Sequence, residues 1–219
     1  MGPLMATQVW FIRHGEVEAP FVGTFVGRSD VALSDLGRHQ AAAVAAYLED
    51  APIDAVVTSP RSRARDTAAP LAKQKGMEPI VREGFAEMHF GQWEGLSWPD
   101  IEARDPRFAA TWQADPATVP CPDGETADGF ATRVKEALRE LLDEFHGNTV
   151  ALFAHAGTNR AVMAEALGLP YMRTFAFAQD YGCINAAAWQ DGFAQVALMN
   201  LVPGPRSQDN GDGGRAIDE

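Results

Sequence analysis

Short apolar runs alternate with segments of helical periodicity along most of the chain. Residues 7–12, 53–58 and 149–154 are continuous apolar runs with β-branched or aromatic members, a pattern that predicts strands buried on both faces. Weaker runs predict further strands at residues 79–82, 183–190 and 194–200.

Helices are predicted between these strands. Ser34 precedes apolar positions at helical spacing, which predicts a helix capped by Ser34 and ending near Asp50. The segment after the second strand predicts a helix capped by Ser59 and ended by Gly76. Two more helices are indicated by the apolar positions between residues 130 and 145, and by the segment from Asn159 to Gly168.

Strands that alternate with helices predict an α/β fold, with a largely parallel sheet and helices on both faces. Residues 1–202 are expected to form a single domain. Within it, residues 84–124 are rich in Trp, Pro, Asp and Gly, and their broken periodicity predicts an insertion of short helices over the site. Residues 203–219 have almost no large apolar side chain and are expected to form a flexible, acidic tail.

Cationic and imidazole side chains follow three of the predicted strands. Arg13 and His14 follow the first strand, Arg63 lies one turn into the helix after the second, and His155 follows the strand at 149–154. Because the carboxyl ends of parallel strands share one edge of a sheet, we expect these side chains to meet in one crevice. Such a cluster is a candidate anion site.

These residue types suit phosphoryl transfer. Arg presents a planar fork of donors that matches phosphate oxygens, and a neutral imidazole nitrogen can attack phosphorus to form a covalent intermediate. Gly15 and Gly157 would let the backbone approach a phosphate closely. A leaving alkoxide also needs a proton donor, for which the insertion offers Glu87, with Glu94 as the nearest competitor.

Composition narrows the partners and the compartment. Lys and Arg number 18 against 30 Asp and Glu, and this net charge of −12 argues against nucleic-acid or anionic-membrane binding. No run approaches the roughly 18 apolar residues that a membrane-spanning helix needs. Two cysteines, Cys121 and Cys183, make no disulfide framework and no metal-binding spacing, so a reducing, cytoplasmic setting is expected.

Four motifs together resemble the histidine phosphatase superfamily, which includes the phosphoglycerate mutases: RHGE after the first strand, SPRSRARDTA after the second, then AEMHFGQWEG, and finally HAG after the strand at 149–154. The resemblance covers about residues 7–200 and implies a three-layer α/β/α sandwich with a mainly parallel sheet. It implies that His14 is the phosphorylated nucleophile and Glu87 the general acid and base. Arg13, Arg63 and His155 would bind phosphate, and no metal or organic cofactor is implied.

The finer resemblance is to small phosphatases of the α-ribazole phosphatase type. The segments VGRSDVALSDLGRHQA and CPDGETADGFATRV carry it, together with the C-terminal part of the chain. Two departures argue against a mutase. Pro20 stands where the mutases carry a phosphate-binding Asn, and Met88 replaces their Arg after the catalytic Glu.

The sequence therefore predicts a phosphomonoesterase that hydrolyses a small phosphorylated metabolite through a phosphohistidine. A phosphoglycerate mutase, and a non-catalytic module that binds phosphate esters, remain the alternatives. Arg28, His89 and Glu125 are either substrate contacts or structural residues. The three tryptophans of the insertion, Trp93, Trp98 and Trp112, either line the pocket or form a small core. Either a monomer or a homodimer fits the sequence.

Overall fold

The computed structural model describes residues 6–207. Its strands are β1 (Thr7–Arg13), β2 (Ala55–Thr58), β3 (Ile80–Val81), β4 (Thr149–Ala154), β5 (Ile184–Gln190) and β6 (Phe193–Leu201). Its α-helices are α1 (Asp35–Tyr47), α2 (Ser62–Lys75), α3 (Trp98–Arg104), α4 (Pro106–Ala114), α5 (Ala127–Glu144) and α6 (Ala156–Leu167). Short 3₁₀ turns lie at Glu83–Phe85, Gly91–Trp93 and Tyr171–Ala176.

The strands form one six-stranded sheet in the order β3-β2-β4-β1-β5-β6. The pairs β1–β4, β2–β4 and β2–β3 are parallel, whereas β5 and β6 run antiparallel. In register, Arg13 lies opposite Ala154, and Thr58 lies opposite Phe153. The residues that follow these three strands therefore emerge side by side at one edge of the sheet.

Helices cover both faces, because the buried strands are apolar on both sides. On one face, Val44 of α1 and Leu71 of α2 join an apolar cluster with Phe153 of β4. On the other face, Phe130 of α5 and Val162 of α6 belong to a second apolar cluster, which also contains residues of the strands. The three-layer α/β/α sandwich that the family resemblance implies is confirmed.

Most of the predicted helix ends are confirmed. The Ser34 side chain accepts a hydrogen bond from the Gly37 N–H at 3.0 Å, and so caps α1. Gly76 and Gly168 end α2 and α6 in the left-handed conformation, with φ of 65° and 63°. The predicted Ser59 cap is wrong: α2 begins at Ser62, and the Ser59 hydroxyl is bonded to a histidine instead.

The insertion at residues 84–124 contains two of the 3₁₀ turns together with α3 and α4. Its tryptophans form a small aromatic core: the Trp93 ring contacts the rings of Trp98 and Trp112 at centroid distances of 6.2 and 5.1 Å. The packing therefore supports the interpretation that these tryptophans form a small core rather than line the pocket.

The predicted tail is described only for residues 203–207, and residues 208–219 lie outside the described part of the chain. The described residues contact the body of the domain. Gln40 Nε2 donates to the Pro205 carbonyl at 3.0 Å, and Arg206 forms an ion pair with Asp180 at 2.9 Å.

The two-sided core makes a prediction about stability. Phe130 is fully buried in α5, so Phe130→Ala should lower the free energy of unfolding by about 3–5 kcal/mol through lost burial and a residual cavity. The matched control is Phe193→Ala on β6, because that ring is 80% exposed and its removal should cost less than about 0.5 kcal/mol. Urea unfolding followed by circular dichroism measures both, and equal losses would contradict this assignment of the core.

Candidate active site

His14 is fixed at the edge of the sheet by its own backbone. It follows β1 directly, its N–H donates to the Ala154 carbonyl at 3.0 Å, and its carbonyl accepts from the Gly182 N–H at 3.1 Å. The ring nitrogen Nδ1 lies 2.7 Å from the Gly15 carbonyl oxygen. Because a carbonyl only accepts, Nδ1 carries the proton, and the lone pair of the neutral ring is on Nε2.

Helix α1 approaches the backbone at Gly15 so closely that there is no room for a Cβ. A Cβ at this position would lie 2.4 Å from the Gly37 carbonyl oxygen. The Gly15 N–H donates to Thr67 Oγ1 at 3.0 Å, and that hydroxyl donates to the Arg63 carbonyl at 2.7 Å. These contacts join the residue after the nucleophile candidate to the helix that carries Arg63.

His155 stands beside His14, with ring centroids 5.2 Å apart. It follows β4, is fully buried, and its Nε2 lies 2.6 Å from the Ser59 hydroxyl. If Ser59 donates this hydrogen bond, the proton of the neutral ring lies on Nδ1. Among residues 6–207, His155 Nδ1 is buried and has no hydrogen-bond partner, so it is available as a donor to a bound anion.

Both histidines are held neutral. Burial lowers the pKa of His14 well below its ordinary value, and the charges of Arg63 and Arg13 lower it further, against the opposing hydrogen bond to Gly15. Burial likewise lowers the pKa of His155 well below its ordinary value, with Arg63 next in effect. A neutral His14 is the nucleophilic form.

The two arginines are held by backbone carbonyls. Arg13 Nη1 donates to the Gln179 carbonyl, and the Arg13 guanidinium lies over the Tyr181 ring with Cζ 3.8 Å from the centroid. Arg63 is fully buried and donates to the carbonyls of Ser29 and Gly27, both at 2.8 Å. Burial lowers the pKa of Arg63 to about 10, which leaves it charged at neutral pH.

Glu87 and Glu94 have different surroundings, and this separates their functions. Burial raises the pKa of Glu87 above its ordinary value, although hydrogen bonds from the N–H groups of Met88 and Gly157, at 2.9 and 3.0 Å, oppose the shift. Burial also raises the pKa of Glu94, but hydrogen bonds led by that of Ser29 outweigh it, and the pKa is lowered. Glu87 is therefore the carboxyl group suited to hold a proton.

Glu94 has a structural position. Its carboxylate accepts from the backbone N–H groups of Gly27, Arg28 and Ser29 at 2.9–3.1 Å. Gly27 and Ser29 also carry carbonyls that accept from Arg63, so Glu94 fixes the loop that holds the buried arginine.

Comparison with known proteins identifies the family. Residues 9–202 match the model of the histidine phosphatase superfamily, branch 1. The chain belongs to the histidine phosphatase superfamily. The family assignment and the site geometry agree, because the motif residues that carry the resemblance are those that meet at the edge of the sheet.

Several members of the superfamily are similar over most of this chain. The adenosylcobalamin/alpha-ribazole phosphatase of Salmonella typhimurium is 29% identical over 193 residues, covering 88% of this chain and 96% of that protein. Phosphoserine phosphatase 1 of Hydrogenobacter thermophilus is 30% identical over 176 residues, covering 80% and 82%. A bifunctional protein of Mycobacterium tuberculosis is 30% identical over 196 residues, or 89% of this chain, and the chain spans about half (54%) of that relative's length.

Solved structures agree with these relatives. The alpha-ribazole phosphatase of Shigella flexneri superposes with a TM-score of 0.83 at 26% identity, covering 92% of this chain and 100% of that one. The mycobacterial glucosyl-3-phosphoglycerate phosphatase superposes with a TM-score of 0.78 at 28% identity, covering 89% and 99%.

The structure of this histidine phosphatase brings the sequence-predicted residues together at one edge of the sheet. Arg13, His14, Arg63, Glu87 and His155 are all at most 7% exposed. The charges of Arg13 and Arg63 act on the other three side chains. Gly157, which the sequence offered as a phosphate contact, donates its N–H to Glu87. A Cβ there would lie 2.4 Å from Glu87 Oε1, so the glycine leaves room for the carboxyl group.

The sequence left the roles of Arg28, His89 and Glu125 open between substrate contact and structure. Glu125 accepts from the His89 N–H at 2.8 Å and forms an ion pair with Arg133 at 2.9 Å, so it has a structural position. Arg28 approaches Glu125 only at 3.9 Å and its side chain is 46% exposed. Arg65, two residues after Arg63 on α2, is exposed and lies away from the site residues.

Sequence reasoning missed Ser59 as a partner of His155, as well as Gln179 and Tyr181 as partners of Arg13. Ser59 was detectable, because it follows β2 at the same edge of the sheet. Gln179 and Tyr181 carry no such signal, since they lie in an irregular segment more than 160 residues from Arg13.

Within residues 6–207, no group of three or more His, Cys, Asp or Glu side chains is arranged to hold a metal ion. Over the same part of the chain, no helix combines the length and the apolarity needed to cross a membrane.

The electrostatics of the two histidines can be measured directly. Because their pKa values are lowered, both rings should stay neutral at about pH 6, where histidines of the urea-unfolded chain, with pKa values near 6.5, are mostly protonated. Imidazole ¹⁵N NMR should also show the proton of His14 on Nδ1. Protonation of His14 at its unfolded pKa, or a proton on Nε2, would contradict the described site.

Proposed function

We propose that this histidine phosphatase is a phosphomonoesterase that hydrolyses a small phosphorylated metabolite through a phosphohistidine on His14. The proposal rests on the hydrogen bonding and the lowered pKa of His14. Its Nδ1 is occupied by the Gly15 carbonyl and its pKa is lowered, so a lone pair on Nε2 is available beside two guanidinium groups. Glu87, whose pKa burial raises, supplies the complementary acid.

Binding of the phosphate group would use the cationic groups and the second histidine. Arg13 and Arg63 attract the phosphate oxygens, and their charges stabilise the negative charge that the transferring group carries. Nδ1 of His155 and Nε of Arg63 are buried and have no hydrogen-bond partner within residues 6–207, and we propose that phosphate oxygens accept from them. The net charge of −12 shows that acidic groups outnumber basic ones over the chain as a whole. Substrate would therefore be captured by the local cationic groups rather than by a broad positive field.

In the first step, the lone pair of His14 Nε2 forms a bond to phosphorus and the ester P–O bond breaks. Protonated Glu87 gives its proton to the leaving oxygen and becomes a carboxylate. The phosphorylated ring gains positive charge, and the hydrogen bond from Nδ1–H to the Gly15 carbonyl stabilises it.

In the second step, the Glu87 carboxylate takes a proton from a water molecule as the water oxygen attacks phosphorus. The P–N bond breaks, inorganic phosphate leaves, and His14 returns to its neutral form. Glu87 is protonated again, so the cycle closes without a cofactor or a metal ion.

The similar proteins suggest the size of the substrate. Their names refer to α-ribazole, phosphoserine and glucosyl-3-phosphoglycerate phosphatase activities, and so we propose a small phosphate ester here as well. Cys121 and Cys183 are buried free thiols, which suits the reducing cytoplasm that we propose as the compartment. A monomer or a homodimer would be compatible with this function.

Replacing His14 tests whether it is the nucleophile. His14→Ala should lower the turnover of p-nitrophenyl phosphate by about four to six orders of magnitude, because the covalent route is lost. Rapid acid-free quenching with ³²P-labelled substrate should trap an acid-labile phosphoenzyme in the unaltered chain and none in the variant. The control is His39→Ala, an exposed histidine of α1 that should keep full activity and labelling.

A panel of metabolite phosphate esters separates this proposal from its alternatives. A phosphomonoesterase releases inorganic phosphate from members of the panel, with one ester preferred by kcat/KM. Isomerisation of 3-phosphoglycerate without phosphate release would make the chain a mutase. Tight binding of esters without turnover would make it a binding module.

Replacing Glu87 tests whether it is the general acid. Glu87→Gln should lower kcat for an alkyl phosphate about 10²–10⁴-fold, because the alkoxide then leaves without a proton. With p-nitrophenyl phosphate the leaving group needs no proton, so a rapid burst of nitrophenol should persist while the slow second step accumulates phosphoenzyme. Rapid-quench kinetics measure both phases.

Glu83→Gln is the matched control for this experiment, since Glu83 is an exposed carboxylate in the 3₁₀ turn just before Glu87. It should leave both phases unchanged. An equal loss of the burst for both classes of ester in Glu87→Gln would show that Glu87 does not protonate the leaving group.

A further inference from the structure

The segment just before β5 contacts Arg13 and His14 through its backbone. The Gln179 carbonyl accepts from Arg13 Nη1, and the Gly182 N–H donates to the His14 carbonyl at 3.1 Å. Between these two contacts lies Tyr181. A segment distant in sequence therefore borders the two residues at the end of β1.

The ring of Tyr181 contacts both of those side chains. Its centroid lies 3.8 Å from Arg13 Cζ, and 5.6 Å from the centroid of the His14 ring. Tyr181 is 4% exposed. A guanidinium held over an aromatic face away from water is attracted to the electron-rich face of the ring more strongly than an exposed pair would be.

The Gln179 carbonyl, which accepts from Arg13, is held by a buried amide cluster. Gln179 is fully buried, and its side chain exchanges two hydrogen bonds with Asn185, at 2.9 and 3.0 Å. Asn159 donates to the same Gln179 oxygen at 3.0 Å, and Asn185 donates to the Phe11 carbonyl of β1 at 3.1 Å. The cluster thus connects the segment that carries the Gln179 carbonyl to β1, the strand that ends at Arg13.

We propose that the aromatic face of Tyr181 is a positioning element for the phosphate-binding guanidinium of Arg13, held in place by the Gln179–Asn185 amide pair. The inference rests on the proposed function in one respect, that a phosphate group binds at Arg13. Tyr181 acts through Arg13 and takes no part in the bond changes.

The physical reason is that a free arginine side chain is a poor clamp. Its rotatable bonds lose conformational entropy on binding. Arg13 and Arg63 also carry like charges that both act on the His14 ring, and like charges repel each other. Attraction to the Tyr181 face and the Gln179 carbonyl offsets that repulsion before any ligand arrives. A site ordered in advance binds its ligand more tightly, because less ordering remains to be done.

The test varies the electrons of the ring while nearly conserving its shape. Phenylalanine and its 4-fluoro, 3,5-difluoro and 3,4,5-trifluoro derivatives are placed at position 181, and the Kd of inorganic phosphate is measured by calorimetry. Tyr181→Phe should stay within about threefold of the unaltered chain, since the ring face remains. Across the fluorinated series the Kd should rise steadily, to about five- to tenfold at the trifluoro derivative, because fluorine withdraws electrons from the face.

Tyr181→Leu removes the ring and should raise the phosphate Kd about tenfold or more. Tyr171→Leu is the matched control, because Tyr171 is a buried tyrosine that packs on Phe130, in the apolar cluster on one face of the sheet. It should lower the melting temperature and leave the phosphate Kd unchanged. The fluorinated series decides the matter if Tyr181→Leu does not fold.

A flat Kd across the fluorinated series overturns the proposal, as does a Tyr181→Phe variant as weak as the trifluoro derivative. Binding of inorganic phosphate needs no turnover, so this result is independent of the proposed hydrolysis. If the unaltered chain binds phosphate but hydrolyses no ester, the proposed function fails while the fluorinated series still decides on Tyr181.

Discussion

The parallel pairing of β1, β2 and β4 sets the positions of the residues that follow these strands, on which the rest of the site is built. Because Arg13 lies opposite Ala154 and Thr58 lies opposite Phe153, the chain leaves all three strands at one level. His14, Ser59 and His155 are the next residues along each strand. Their close approach is therefore a consequence of sheet register, which the apolar cores on both faces stabilise.

Burial then determines the protonation states. Water is excluded from these residues, so charged forms are disfavoured: the pKa values of both histidines fall, and that of Glu87 rises. The same burial leaves Arg63 charged, because its pKa falls only to about 10. Two neutral imidazoles and a permanent cation therefore lie in one small crevice, beside a carboxyl group whose pKa burial shifts toward the protonated form.

The parts of this arrangement that depend on local pattern were predictable. Apolar runs predicted β1, β2 and β4, and strand-end residues then placed Arg13, His14 and His155 at one edge. The sequence predicts a helix cap at Ser59, because a serine before a proline is typical of a helix start, whereas its bond to His155 depends on a contact between strands distant in sequence. Gln179 and Tyr181 reach Arg13 only through the antiparallel return of β5, for which no residue pattern gave the partner. Glu94 competed with Glu87 in the sequence, and only the N–H groups that surround it in the fold separate the two.

The most direct measurement is the position of the phosphoryl group on the trapped enzyme. The two ring nitrogens of His14 are distinguishable by ³¹P–¹H correlation NMR of the phosphoenzyme and by mass spectrometry of the peptide that contains residue 14. Because the Gly15 carbonyl occupies Nδ1, we expect the phosphoryl group on Nε2 of His14. A phosphoryl group on Nδ1, or on any other residue, would contradict it.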